Sequence, residues 1–150
     1  MRPASRGSLQ LRSSDPFDHP LIDPAYLSEQ RDVDGMVVAL RMAREIAHAT
    51  ALKPWRGTEL LPGAEVCGDD DCREFLRRTT GSYFHPAGTC RIGSDDFAVV
   101  DPELRVHGID GLRVVDASVM PSLVSAPPNA AVLGIAERAA DLIKSDVPSS

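Results

Sequence analysis

A chain of 150 residues with 43% apolar and 25% charged side chains has the material for one ordinary domain around one real core. Its formal net charge of −6 argues against nucleic acid, whose phosphates want a basic face, and no nucleic-acid partner is expected. The apolar runs are far too short for a membrane span, and the basic start Met1-Arg2-Pro3-Ala4-Ser5-Arg6 has no apolar stretch behind it, so no signal peptide is expected.

In chain order, Gly7 to Arg12 alternates apolar and polar residues and predicts a short half-buried strand. Ser14 to Pro20 is dense in turn residues, and His19 there reads as a solvated turn histidine. Leu21 to Leu27, broken by Pro24, reads as a covering loop or edge segment. A helix follows, with Ser28 or Asp32 as its cap and Val33, Met36, Val37, Leu40, Ala43 and Ala47 as its apolar stripe. Arg41, Arg44 and Glu45 form its wet face, Met36 and Met42 read as ordinary packing, and the helix ends near Thr50 with His48 suiting its dipole. Residues 51–68 read as a loop docked on the core by Trp55.

Asp69-Asp70-Asp71 lacks the glycine and distal glutamate of a calcium loop. The run reads instead as the start of a second helix that turns Cys72, Phe75 and Leu76 inward and ends near Gly81. Cys67, Cys72 and Cys90 lack paired C-x-x-C spacing and read as free thiols of a reducing, cytoplasmic compartment. Three short strands are then expected, at residues 98–101, 104–107 and 112–116, with His107 a surface residue at a strand end. A last helix opens at Asn129, a good cap, with Val132, Ile135, Ala136, Ala139, Leu142 and Ile143 facing inward.

The stretch Tyr83-Phe84-His85-Pro86-Ala87-Gly88-Thr89-Cys90-Arg91-Ile92-Gly93 holds the most chemistry. Pro86 pushes His85 out of the helical region, and Gly88 and Gly93 permit irregular backbone after it. An imidazole so placed is either a turn residue or a general base. The small residues Ala117 and Ser118, where the strand ending at Asp116 exits, let a flat ligand approach the backbone. A hydrolase built on Ser118 or Ser125 is disfavoured, because no G-x-S-x-G elbow exists.

Four ordered blocks sharpen the reading. They are His85 to Gly93, Val100-Asp101-Pro102-Glu103-Leu104-Arg105-Val106-His107-Gly108, Leu112 to Pro121, and Asn129 with Ile135 to Ile143. Together with Ser5 to Pro16 and Leu21 to Leu27, they resemble the C-terminal region of glucose-methanol-choline (GMC) oxidoreductases, in the choline and alcohol dehydrogenase branch. The resemblance covers nearly the whole chain. Ile92 stands where that family often has methionine, and Pro127 where the choline branch often has a polar residue.

The resemblance implies an FAD-dependent oxidation of a small-molecule alcohol. His85 would be the base, Asn129 its partner on the same oxygen, and Asp116, Ala117, Asn129 and Ala130 would lie beside the flavin. It implies an α+β fold: residues 1–82 the later half of a substrate domain with antiparallel strands and two helices, and residues 83–150 the catalytic loop and a strand-helix return that completes a flavin domain. No G-x-G-x-x-G fingerprint occurs, so the ADP half of FAD has no evident site here. Three arrangements fit: a C-terminal portion, a split-enzyme subunit completed by a separate FAD-binding chain, or a non-catalytic interaction module. Exposed apolar surface is expected in each.

Overall fold

The computed structural model describes residues 2–146. It has three α-helices and one two-stranded antiparallel sheet, and it divides into two compact units, one of residues 3–81 and one of residues 82–146 with Arg2.

In the first unit, β1 (Ser8–Gln10) pairs antiparallel with β2 (Leu21–Asp23), Leu9 opposite Ile22. Gly7 enters the pair where no side chain fits, since a Cβ there would lie 2.2 Å from the Asp23 carbonyl oxygen. Every residue of both strands is exposed, so the half-burial expected of Gly7 to Arg12 is corrected: an isolated ribbon has no layer behind it.

The unit's core lies between α1 (Gln30–His48) and α2 (Asp69–Thr79). Val37, Cys72 and Leu76 are buried together, with Leu27, Met36, Leu40, Val66 and Phe75 packed around them. The i, i+4 spacing of Val33 to Val37 and of Cys72 to Leu76 puts each pair on one helix face, which explains the pairing of these helices. The stripe of α1 is shorter than its periodicity suggests, because Ala43 and Ala47 are exposed. Alanine adds too little apolar area to hold that end down.

Three polar side chains depart from their expected roles. Neither Ser28 nor Asp32 caps α1; Glu29 occupies the cap position without a side-chain bond. Asp32 is buried in the first turn instead and grips the preceding segment, accepting from the Ala4 and Ser5 amides at 2.9 and 2.7 Å and from the Ser5 hydroxyl at 2.6 Å. Arg44 is half-buried rather than wet. Its guanidinium donates to Glu59 at 2.8 Å and to the carbonyls of Val66 and Gly63 at 2.7 and 3.0 Å, tying the loop to α1. Trp55 is 86% exposed and does not dock that loop, a task Arg44 performs.

The acidic run begins α2 as expected. Asp71 accepts from the Gly68 amide at 3.1 Å, Asp70 pairs with Arg73, and Asp69 pairs with Arg41 of α1.

In the second unit, Val100, Leu104, Val119 and Ala139 form the buried core, with Ile92, Val99, Val106, Val114, Val115 and Ile135 around it. The three expected strands are absent as strands; single bridges join Ile92 to Val100, Val100 to Val106 and Arg105 to Arg113. Turns at Pro102–Glu103 and His107–Gly108 leave too little chain between them for a ladder. Leu104 adopts a left-handed backbone, φ 65°, that a leucine takes only when its surroundings hold it. Its side chain is buried in the core, and the Asp101 side chain accepts from the Glu103 and Arg105 amides on either side, both at 2.9 Å.

Helix α3 (Asn129–Asp146) closes this unit with Ala139 buried and Val132, Ile135 and Leu142 half-buried. Ala136 and Ile143, expected inward, are exposed, so the buried stripe is narrower than drawn from the sequence. The last turn is anchored by Asp146, which accepts from Arg113 at 2.5 Å and from Arg105 at 3.2 Å. No helix among the described residues is long and apolar enough to cross a membrane. Large apolar side chains are exposed on the connections, among them Phe17, Leu60, Leu61 and Phe97.

The Asp32 grip makes a pH-dependent contribution. Hydrogen bonds from the Ala4 amide, then from the Ser5 hydroxyl and amide, hold its carboxyl below the ordinary 3.8. A carboxyl more acidic in the folded than in the unfolded chain stabilises fully above its ordinary value, and that stability is lost as pH falls through the lowered folded value. Asp32→Asn is expected to cost about 1–3 kcal/mol at neutral pH. Urea titrations should show its deficit against the natural chain shrinking below pH 3.8; a deficit that stays constant to lower pH would contradict the assignment.

Candidate active site

The loop carrying His85 is built from residues that each remove a freedom. Ser82 accepts from the Phe84 amide at 2.9 Å, and Phe84 itself is left-handed, φ 61°. Pro86 then bars the helical region to His85. Gly88 takes φ 91°, where a side chain is strained, and a Cβ there would stand 3.3 Å from the Met120 carbonyl oxygen.

Beyond Gly88 the loop is stitched to the turn that follows Asp116. Cys90 N–H donates to the Ser118 carbonyl at 3.0 Å and Ile92 N–H to that of Val119 at 2.9 Å. Arg91 forks onto Asp95 at 2.8 and 2.5 Å, and this guanidinium, with the Phe97 amide, holds the Asp95 carboxyl down to about 2. The ring of His107 is exposed, as expected, and its Nε2 lies 3.1 Å from the Gly93 carbonyl. A carbonyl only accepts, so this nitrogen carries the proton.

His85 is half-buried, and among the described residues neither of its ring nitrogens is engaged in a hydrogen bond. Its neighbour is Tyr83, whose ring meets the imidazole edge-to-face, centroids 5.4 Å apart and planes at 88°.

Asp116 begins a short 3-10 turn, Ala117–Val119, and its Oδ1 accepts from the Ser118 amide at 2.7 Å. Its carboxylate is exposed and serves as a cap, while Val119 and Met120 beneath are buried. Asn129 does not occupy the cap position of α3. Buried Pro128 does, its carbonyl accepting from the Val132 amide at 2.9 Å, which leaves Asn129 and Ala130 exposed in the first turn. A proline carbonyl starts a helix as well as any other, and proline has no amide to leave unpaired.

His85, Asp116, Ala117, Asn129 and Ala130 all lie in the second unit, and the His85 loop is bonded directly to the turn Ala117–Val119. The Ser118 and Val119 carbonyls as loop acceptors have no signature in the sequence, and Tyr83 as a ring partner has only a weak one. The aromatic at i−2 from the histidine was the available signal for the latter.

A family model described as GMC oxidoreductase matches residues 3–136. The chain belongs to the GMC oxidoreductase family. Choline dehydrogenase, mitochondrial, from Homo sapiens is 49% identical over 146 residues, which are 96% of this chain and 25% of that protein. Pyridoxine 4-oxidase from Mesorbium loti superposes with a TM-score of 0.89 at 42% identity, covering 97% of this chain and 28% of that one. An FAD-dependent oxidoreductase from Chaetomium thermophilum gives 0.89 at 33% identity, covering 97% and 25%. The chain thus spans about a quarter of the length of the GMC relatives it matches.

The family implies FAD, and the residues present fit its ring system. The first amides of α3 have no intrahelical acceptor and sit at the positive end of the helix dipole, next to the small side chain of Ala130 and the carboxamide of Asn129. That donor set suits the electron-rich edge of an isoalloxazine. A fingerprint for the pyrophosphate is absent from the 150 residues.

Gly88→Ala is expected to cost about 1–3 kcal/mol, because alanine at a left-handed position must also press on the Met120 carbonyl. Thermal unfolding should register the loss, and an unchanged midpoint would show that the loop can refold around a side chain.

Proposed function

We propose that this chain carries the acid–base residues of an FAD-dependent alcohol oxidation. The observation that carries the reading is His85 itself: a half-buried imidazole whose nitrogens have no hydrogen-bond partner among the described residues, on a loop pinned by Pro86 and by the Ser118 and Val119 carbonyls. Membership of the GMC family supports it, as do relatives named for choline and for pyridoxine, both alcohols.

FAD, when bound, supplies the hydride acceptor. The chain's own residues manage the proton and the developing charge. An unprotonated His85 takes the hydroxyl proton as the carbinol C–H bond weakens. The carboxamide N–H of Asn129 donates to the same oxygen and holds it while it is alkoxide-like. Ala117, Ala130 and the first amides of α3 bind beside the flavin ring, with Asp116 shaping the turn that presents Ala117. Residues 3–81 act as the later part of a substrate domain, and residues from Ser82 onward as the catalytic loop and the return into a flavin domain, in keeping with the division between Gly81 and Ser82.

In the FAD-loaded enzyme, His85→Ala should lower turnover by about two to four orders of magnitude with flavin content retained. Asn129→Ala should lower it by about two orders. Steady-state kinetics beside the flavin absorbance of each variant check this, and wild-type turnover in His85→Ala would remove the base.

A polypeptide of these 150 residues, incubated with FAD and desalted, should keep no visible flavin band, because no pyrophosphate fingerprint is present. A retained, protein-shifted band would show that the phosphates are held by other means.

A further inference from the structure

We propose that Tyr83 is a positioning residue that sets the plane of the His85 imidazole while leaving both of its nitrogens available. The inference rests on the reading of His85 as the base. Backbone alone does not fix an imidazole: Pro86 restricts φ and ψ of His85, but the outer torsion of a histidine side chain is broad and roughly two-fold. Some contact with the ring must choose the plane.

The usual device is a hydrogen bond from one ring nitrogen, and this unit contains an example. Nε2 of His107 is spent on the Gly93 carbonyl at 3.1 Å. Such a bond makes that nitrogen a donor and unavailable as a base. At His85 no bond of that kind occurs among the described residues, and the ring is met instead by Tyr83, edge-to-face at 5.4 Å and 88°. This is a favoured aromatic geometry, and it orients one ring against another without a hydrogen bond to a carbonyl.

The local backbone is shaped for this contact. Side chains two residues apart on an extended chain stand about 6.5 Å apart on one face. Phe84, left-handed at φ 61° and held by the Ser82 hydroxyl at 2.9 Å, bends the chain between the two rings. Phenylalanine is not a residue that favours this conformation, so the bend is imposed where the two rings meet. Tyr83 is 84% exposed, so its ring contributes little to the core.

The test compares Tyr83→Leu and Tyr83→Phe in the FAD-loaded enzyme, alone and combined with His85→Ala. Loss of an aromatic pair of this kind should lower kcat about two- to tenfold in Tyr83→Leu. KM and flavin content should hold, and Tyr83→Phe should restore the rate. In the His85→Ala background Tyr83→Leu should add nothing.

The readout independent of turnover is NMR of 13C-labelled histidine. The imidazole protons of His85 should carry a ring-current shift in the natural enzyme and in Tyr83→Phe, and lose it in Tyr83→Leu. An unshifted His85 signal, a Tyr83→Leu enzyme with wild-type kcat, or a full additional loss in the His85→Ala background would each overturn the positioning role while leaving the base in place. Wild-type turnover in His85→Ala would overturn the base and the positioning role together.

Discussion

Two backbone hydrogen bonds, from Cys90 to the Ser118 carbonyl and from Ile92 to that of Val119, govern the geometry of the second unit. They lay an irregular loop along a turn whose own side chains, Val119 and Met120, are buried. Val119 packs with Val100, Leu104 and Ala139, so the loop, the bridged segments and α3 are referred to a single small core. An irregular loop can hold a side chain in place only if its backbone amides find fixed partners, because each unpaired buried amide would otherwise seek water and drag the loop with it. Here those partners are carbonyls of a 3-10 turn capped by Asp116.

The same economy appears in the first unit. Its core is a handful of side chains between two helices, and much of what fixes the connections is polar: the Asp32 carboxylate on Ala4 and Ser5, and the Arg44 guanidinium on Glu59, Gly63 and Val66. Long connections without regular structure bury little apolar area, so their order comes from charged groups that collect several backbone partners at once. The exposed Trp55 and Leu60 on that loop are what remains when the anchoring is polar.

Helices and motif were legible because their signals are local. Val33 with Val37 and Cys72 with Leu76 repeat at the helical period, and the His85-Pro86 block needs no partner to be recognised. What was not legible depended on distant partners or on backbone states that sequence rarely declares. The runs 98–101, 104–107 and 112–116 have strand composition, but a left-handed Leu104 and intervening turns reduce them to single bridges. Asp32 looks like a cap by position and becomes a clamp only because residues 4 and 5 return to it. Asn129 looks like the cap of α3, yet the carbonyl that starts the helix belongs to Pro128. A positive φ at Phe84 has no sequence signature at all.

The far end of α3 has a different character from its head. Asp146 sits where a helix dipole is negative and carries a negative charge of its own, an arrangement that is tolerable because Arg105 and Arg113 both reach it. The two pairs differ in exposure: Arg105 is about half exposed and its pair with Asp146 is screened by salt, whereas Arg113 is only 17% exposed and holds the same carboxylate more tightly, at 2.5 Å. The head of the helix, seated on buried Pro128, does not depend on such pairing. Ionic strength thus reaches α3 at one end and through one of two partners: rising salt weakens the hold of Arg105, while Arg113 keeps the tail and Pro128 keeps the turn that bears Asn129.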